Sequence, residues 1–169
     1  MSLTSTQIDE IFAAMGLPAP SSAVATSLEA IPNTYDALNT IIDLPEVQSE
    51  VIPILAMFDL ALGHDPTAAT LSSIAETKLS QAQLASAFVS SQAFANVYNG
   101  GVLLNPNAII GNSNSGIITA LFLNGLGHPP TTATLDGFFG LTLAQAFLVF
   151  TQSNAVAVSA TMDASLLNI

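Results

Sequence analysis

Apolar residues recur at three- and four-residue spacing through most of the chain, in short runs separated by proline, glycine or hydroxyl residues. The first run carries Ile8, Ile11 and Phe12 and stops at Gly16, a residue that commonly ends helices. It predicts a helix with a serine or threonine N-cap within residues 4–6. Because no segment alternates apolar and polar residues for long, strands are not expected, and the pattern predicts an all-α fold.

Capping residues and prolines mark the helices that follow. Ser21 or Ser22 is expected to begin a second helix, and Asn33 caps a third. Pro45 fits the first turn of the next helix. Pro53 is expected to kink or divide that helix, because proline cannot donate to the carbonyl four residues earlier.

A further helix is predicted over residues 54–62. Asp65 and Pro66 follow, and they are expected to form the N-cap and the first residue of another helix. Ser80 is expected to cap one continuous helix that runs as far as Phe94.

Residues 57–71 return 64 positions later as residues 121–135, with 9 of 15 residues identical and no gap. Unrelated segments of this composition would share about one or two residues. The match resumes after a two-residue deletion and aligns Phe88 with Phe150. The chain therefore contains an internal duplication.

The second copy is predicted to repeat the helical pattern of the first. A helix ends at Leu126, Gly127 terminates it, and the next helix begins at Pro130. A last helix is expected from Thr142 through Phe150.

The repeats suggest four segments, and the first of them resembles a degenerate third copy through Phe12, Gly16 and Pro20. Asparagine and glycine turns separate the two clear copies. The segments are N-terminal helices (1–53), a helical repeat unit (54–98), a linker loop (99–116), and a second repeat unit with a C-terminal tail (117–169).

Residues 57–98 and 121–156 resemble a bacterial helical repeat family of unknown function that carries a Tyr-x3-Leu-Gly-Arg-x-Pro-Asp signature. This chain departs from the family pattern in three ways. Phenylalanine stands for the tyrosine, histidine stands for the arginine, and an uncharged amide stands for the final acidic residue. The positions concerned are Phe58, Phe122, His64, His128, Gln92 and Asn154.

The resemblance implies a bacterial, extracellular setting. Members of the family resemble the N-terminal regions of S-layer proteins and occur in large proteins exported by type I secretion, without a cleaved N-terminal signal. Residues 161–169, which are charge-poor and apolar at the end, are compatible with an uncleaved C-terminal signal. The family brings no known catalytic residues.

Charge is unusually scarce, at 8% of residues against roughly 25% in an ordinary soluble protein. Twelve residues are acidic, and Lys78 is the one basic residue besides two histidines. A net charge of −11 repels phosphate backbones, so nucleic acid is excluded as a partner.

Apolar runs are short or interrupted by polar residues, and no membrane span is expected. The absence of cysteine rules out disulfides.

His64 and His128 occupy equivalent positions directly after a helix-terminating glycine. A histidine there can donate to the last carbonyls of the helix and interact with the negative end of its dipole, and this capping role is the expectation. A metal pair or a proton shuttle is the alternative. It lacks support, because no second ligand lies three or four residues away.

Asp43, Glu46 and Glu50 lie near one face of a predicted helix without a balancing cation. Like charges at this spacing repel by about 0.2–0.5 kcal/mol, so calcium binding is one interpretation. Calcium needs six or more oxygen ligands, usually from a loop, and no EF-hand spacing is present. A solvated acidic face is therefore expected, and no cofactor is predicted.

The distribution of charge gives the strongest functional indication. Ten of the twelve acidic residues precede position 77, and only Asp136 and Asp163 follow Lys78. An apolar, nearly uncharged C-terminal half is expected to self-associate or to attach to a partner such as surface polysaccharide. The alternative is a soluble binding protein for a small apolar ligand held between helices. An enzyme is not expected, since no nucleophile elbow, phosphate loop or dinucleotide fingerprint is present.

Overall fold

A computed structural model describes residues 1–153 of the chain. Within this range the fold is all-α, as predicted, with one isolated antiparallel bridge between Ile109 and Thr142. Residues 154–169 lie outside the described part, and with them the candidate secretion signal over 161–169 and Asn154. The helices are α1 Ser5–Ala14, α2 Ser22–Glu29, α3 Thr34–Ile42, α4 Ile52–Leu62, α5 Ala68–Thr77, α6 Gln81–Val89, α7 Gln92–Tyr98, α8 Ser115–Leu126, α9 Thr132–Asp136 and α10 Leu143–Ser153.

The elements fall into two compact units. Unit 1 comprises Met1–Pro53 and Pro66–Lys78, and unit 2 comprises Ile54–Asp65 and residues 79–153. The second copy of the repeat, with α8, α9 and α10, lies wholly in unit 2. The first copy contributes α5 to unit 1 and its other helices to unit 2.

In unit 1, α1 packs against α2 and α5. The predicted caps are confirmed: Thr4 forms a capping box with Gln7, and the side chains of Ser21 and Asn33 cap α2 and α3. Gly16 has the positive φ of 75° expected of a helix-terminating glycine. A Cβ at Gly16 would lie 2.9 Å from the Cβ of Ala75, so glycine also permits the close approach of α5.

A wider, π-helical turn precedes Pro53. Val47–Val51 forms a π-helical turn, and the N–H of Ile52 donates to the carbonyl of Val47, five residues earlier. Pro53 then follows inside α4. The predicted kink or division thus takes the form of a π-helical turn, which shifts the hydrogen-bond register just before the residue that lacks an N–H.

The predicted start of α5 at Asp65 and Pro66 is wrong. Thr67 is the N-cap, and its hydroxyl accepts a hydrogen bond from the N–H of Thr70 at 3.2 Å. Threonine satisfies a free N–H of the first turn, and α5 therefore begins at Ala68, after the proline.

The same correction applies to the second copy, where the predicted restart at Pro130 is one residue before the N-cap. Thr131 caps α9 by accepting from the N–H of Thr134 at 3.2 Å. In both copies the proline precedes the cap instead of following it.

The helix predicted from Ser80 to Phe94 is two helices. Ser80 caps α6 as expected, but α6 ends at Val89, and Ser91 caps α7 by accepting from the N–H of Phe94 at 3.2 Å. The hydroxyl of Ser90 donates to the carbonyl of Ser86 at 2.9 Å. Two consecutive serines compete with the backbone for these groups and divide the helix.

In unit 2, equivalent helices of the two copies pack against each other, α6 on α10. Equivalent ring pairs recur at nearly the same separation, 4.9 Å for Phe58 and Phe88 and 4.8 Å for Phe122 and Phe150. These pairs support the alignment of the copies across the two-residue deletion. The ring of Phe147, in the second copy, lies 5.1 Å from that of Phe94 and 6.5 Å from that of Phe88, so both copies contribute to one core, as stacked repeats do.

Hydrogen bonds join the irregular stretch over 99–114 to the start of α10 and to the residues just before it. The N–H of Ile110 donates to the carbonyl of Leu141 at 2.8 Å, and the N–H of Leu143 donates to that of Ala108 at 2.9 Å. Ile110 itself is 2% exposed. The stretch lies within unit 2 and contributes a side chain to its core.

Candidate assembly surface

The two histidines make a different contact from the predicted one. In each, Nδ1–H donates to the carbonyl of the next residue, Asp65 for His64 at 2.9 Å and Pro129 for His128 at 3.1 Å. Both side chains are exposed. The prediction that they cover the last carbonyls of their helices is therefore wrong.

Gly63 and Gly127 donate to carbonyls of the last helical turn instead. The N–H of Gly63 donates to the carbonyl of Asp59 at 2.7 Å, and the N–H of Gly127 donates to the carbonyl of Leu123 at 3.1 Å. Both glycines have φ above 70°, a conformation that brings the N–H back onto the helix and leaves the next side chain outside it.

The acidic candidates occupy the end of α3 and the turn that follows. Asp43 is the C-cap residue of α3, Glu46 is half-buried, and Glu50 is exposed in the π-helical turn. Within residues 1–153, no group of three or more histidine, aspartate or glutamate side chains is arranged to hold a metal ion.

A tyrosine that the sequence pattern did not single out covers a carbonyl at the end of α4. The hydroxyl of Tyr98, on α7, donates to the carbonyl of Leu60 at 2.6 Å, and Tyr98 is 8% exposed. Carbonyls of the last helical turn have no partner within the helix. Tyr98 therefore serves at α4 the capping role predicted for His64, from 38 residues away.

Beside this contact lies an open cleft of about 260 Å³, lined by Asp59, Leu60, Leu62, Gly63, Val97 and Asn124. Burial raises the pKa of the Tyr98 hydroxyl, the amide of Asn124 lowers it, and the charge of Asp59 raises it further. The neutral phenol, which can donate to Leu60, is the form that folding favours.

Replacing Tyr98 with phenylalanine is expected to lower the free energy of unfolding by about 1–2 kcal/mol at neutral pH, because one buried carbonyl loses its donor. The pKa of Tyr98 is higher in the folded state, so its stabilisation is complete below the ordinary value of 10.0 and is lost as the pH rises through the folded-state value. Urea denaturation between pH 7 and pH 11 should show this alkaline loss in the wild type. A Tyr98→Phe variant with an equally steep alkaline loss would contradict the assignment.

Within residues 1–153, exposed large apolar side chains concentrate in unit 2. The described part of unit 1 has Met1 and Tyr35. In unit 2 they are Leu79, Val97, Val102, Leu103, Ile109, Leu123, Leu126 and Val149, each at least 41% exposed. Few charges accompany them, since the described part of unit 2 contains only Asp59, Asp65 and Asp136 as charged residues. Apolar side chains that form a contiguous exposed patch are typical of interaction sites, which makes unit 2 the candidate assembly surface.

No protein-family model, curated protein or solved structure matches the chain. Among the helices of residues 1–153, none combines the length and the apolar character needed to cross a bilayer.

Proposed function

We propose that this protein is a non-catalytic assembly protein that associates with further copies of itself through unit 2. The observation that supports the proposal is the combination, in the described part of unit 2, of eight exposed large apolar side chains with three aspartates and no lysine or arginine. Water is a poor solvent for such a surface, and burying it against another apolar surface is favourable at about 25 cal/mol per Å².

The distribution of charge favours unit 2 over unit 1 as the contact between copies. Every copy carries a net charge of −11, so contacts that bring acidic residues together are opposed by repulsion. Eight acidic residues lie in the described part of unit 1, where they favour contact with water: Asp9, Glu10, Glu29, Asp36, Asp43, Glu46, Glu50 and Glu76. Association through unit 2 meets the fewest like charges.

The resemblance of residues 57–98 and 121–156 to the S-layer-like repeat family suggests where such a protein would act. In this proposal the protein is a secreted structural or adhesive component of a bacterial cell surface, where it forms fibres or sheets or attaches to surface polysaccharide. Repeat architectures suit such a role, because they present extended surfaces to neighbours.

The alternative, a binding protein for a small apolar ligand, remains a prediction. The cleft beside Tyr98 measures about 260 Å³ and is bordered by the carboxylate of Asp59 and the amide of Asn124. Ligand pockets are usually about 300–1,000 Å³ and largely apolar. This cleft therefore does not favour that function.

Sedimentation velocity over a range of protein concentrations tests the proposal. Wild-type protein is expected to associate as its concentration rises, and sodium sulfate should strengthen the association because it favours apolar burial and screens charge. Tyr35→Asp, a change in unit 1, should leave the association intact. Electron microscopy of the same samples, with and without calcium, would show whether fibres or sheets form. A monomer at all concentrations, with and without sulfate and calcium, would overturn the proposal.

A further inference from the structure

The chain contains two asparagine–glycine pairs, and the structure places them in opposite surroundings. Asn99 is the C-cap residue of α7, and Gly100 follows it in an exposed turn. Asn124 and Gly125 lie inside α8. Asparagine before glycine is the pair in which the side-chain amide reacts most readily with the backbone, because glycine has no Cβ to crowd the attacking nitrogen.

The turn after α7 leaves the nitrogen of Gly100 open to water. The N–H of Val102 donates to the carbonyl of Asn99 at 3.1 Å, and the N–H of Gly101 donates to the carbonyl of Ala95 at 2.9 Å. Between them, the N–H of Gly100 makes no hydrogen bond to any of residues 1–153. Gly100 is exposed, and a Cβ there would meet nothing within 4 Å. This nitrogen can therefore lose its proton to solvent without breaking a hydrogen bond of the fold.

We propose that Asn99 is a site of spontaneous deamidation in the folded protein. The nitrogen of Gly100 gives its proton to hydroxide and attacks Cγ of Asn99. The new C–N bond closes a succinimide ring, and Nδ2 takes a proton from water and leaves as ammonia. Water then opens the ring at either carbonyl and produces aspartate or isoaspartate. The net reaction consumes water and releases ammonia, and it needs no enzyme or oxidant.

A single hydrogen bond holds the reacting amide in place. Nδ2 of Asn99 donates to the carbonyl of Val102 at 2.6 Å, and Asn99 is only half-buried. Water replaces one such bond easily, because its net contribution to stability is small. Once this bond opens, the side chain can turn toward Gly100 while α7 keeps its helical hydrogen bonds.

Asn124 is protected by the helix that contains it. An interior N–H of an α-helix donates to the carbonyl four residues earlier, so the nitrogen of Gly125 is occupied. Gly125 is also closely surrounded, since a Cβ there would lie 2.8 Å from side-chain atoms of Leu60 and Phe150. Reaction at Asn124 requires α8 to open, and the open form of a packed helix is a minor population.

Deamidation of Asn99 changes the turn in which it lies. A carboxylate only accepts hydrogen bonds, so it repels the carbonyl of Val102 to which Nδ2 donated. The product also adds a fourth acidic residue to the described part of unit 2, close in sequence to Val102 and Leu103, which are 68% and 60% exposed. The reaction does not depend on self-association.

Peptide mapping of the wild-type protein during incubation in weakly alkaline buffer tests the proposal. Chymotrypsin separates residues 99–103 from residues 124–126, and mass spectrometry with isoaspartyl methyltransferase labelling measures the products. In the folded protein, Asn99 is expected to react at least about tenfold faster than Asn124, because α8 must open first. In guanidinium chloride the two sites should react at similar rates. The control is Asn99→Gln, which keeps the amide but disfavours ring closure.

Incubation continues until the unfolded chain has reacted at both asparagines. Equal rates at Asn99 and Asn124 in the folded protein would overturn the assignment. An Asn99 that stays intact in the folded protein would also overturn it, because the turn would then protect the amide. Loss of the fast product in Asn99→Gln, with unchanged helical circular dichroism, is the expected result, and persistence of that product would contradict the proposal.

Discussion

Phe147→Ala is expected to lower the free energy of unfolding by about 3–5 kcal/mol, the usual cost of truncating a buried phenylalanine. Phe147 is 0% exposed on α10. Its ring lies 5.1 Å from that of Phe94 and 6.5 Å from that of Phe88, both contributed by the first copy of the repeat. The substitution therefore opens a cavity where the helices of the two copies meet, and the surrounding rings cannot easily close it.

Urea denaturation followed by circular dichroism measures this loss. In a Tyr35→Phe background, the fluorescence of buried Tyr98 reports on unit 2, since the chain has no tryptophan and no third tyrosine. Val149→Ala is the control, because Val149 lies on the same helix but is 45% exposed. It should cost less than about 1 kcal/mol. A Phe147→Ala variant as stable as the Val149→Ala variant would show that the copies do not share a tightly packed core.

Gly125→Val is expected to destabilise unit 2 by about 2–3 kcal/mol through overpacking. A Cβ at Gly125 would lie 2.8 Å from Cδ2 of Leu60 and 2.8 Å from Cε1 of Phe150. Phe150 is 0% exposed and Leu60 is 5% exposed, so neither side chain has free space to move into. Glycine at this position permits the close approach of α8 to both.

Gly116→Val serves as the matched control in the same helix. A Cβ at Gly116 meets nothing within 4 Å, and valine has a slightly better helix propensity than glycine. Its free energy of unfolding should change by less than about 0.5 kcal/mol. Equal destabilisation by the two substitutions, measured by urea denaturation, would mean that Gly125 is required by the backbone and not by its neighbours.

Local sequence signals predicted the parts of the fold that depend on neighbouring residues. Thr4, Ser21, Asn33 and Ser80 were identifiable as caps, because a side-chain oxygen that can accept from an N–H two or three residues later favours the start of a helix ahead of an apolar run. The duplication likewise fixed the order of helices in the second copy before its packing was known.

Errors arose where two local signals competed. Asp65 with Pro66 and Thr67 with Thr70 are both plausible helix starts, and the hydroxyl pair prevails, with the two oxygens 2.9 Å apart. At Ser90 and Ser91 the apolar periodicity continues through the break, so periodicity alone predicts one helix. The competing serine hydrogen bonds are the decisive feature there.

Candidate functional residues were harder to predict, because their roles depend on tertiary contacts. The capping of α4 by Tyr98 links residues 38 positions apart, and no local motif marks it. The scarcity of charge after Lys78 was evident from composition, but composition could not distinguish the buried apolar residues of α8 from the exposed Leu123 and Leu126. The packing of α8 within unit 2 makes that distinction, and it depends on tertiary contacts.

Cross-linking at a single introduced cysteine tests the contact between copies most directly, since the chain has no cysteine of its own. Leu123→Cys and Tyr35→Cys place the thiol at positions that are both 48% exposed, in unit 2 and in unit 1 respectively. The proteins are treated with a short bismaleimide at a concentration where the wild type associates. The account predicts faster formation of a covalent dimer through position 123 than through position 35. Equal, slow cross-linking at the two positions would contradict it.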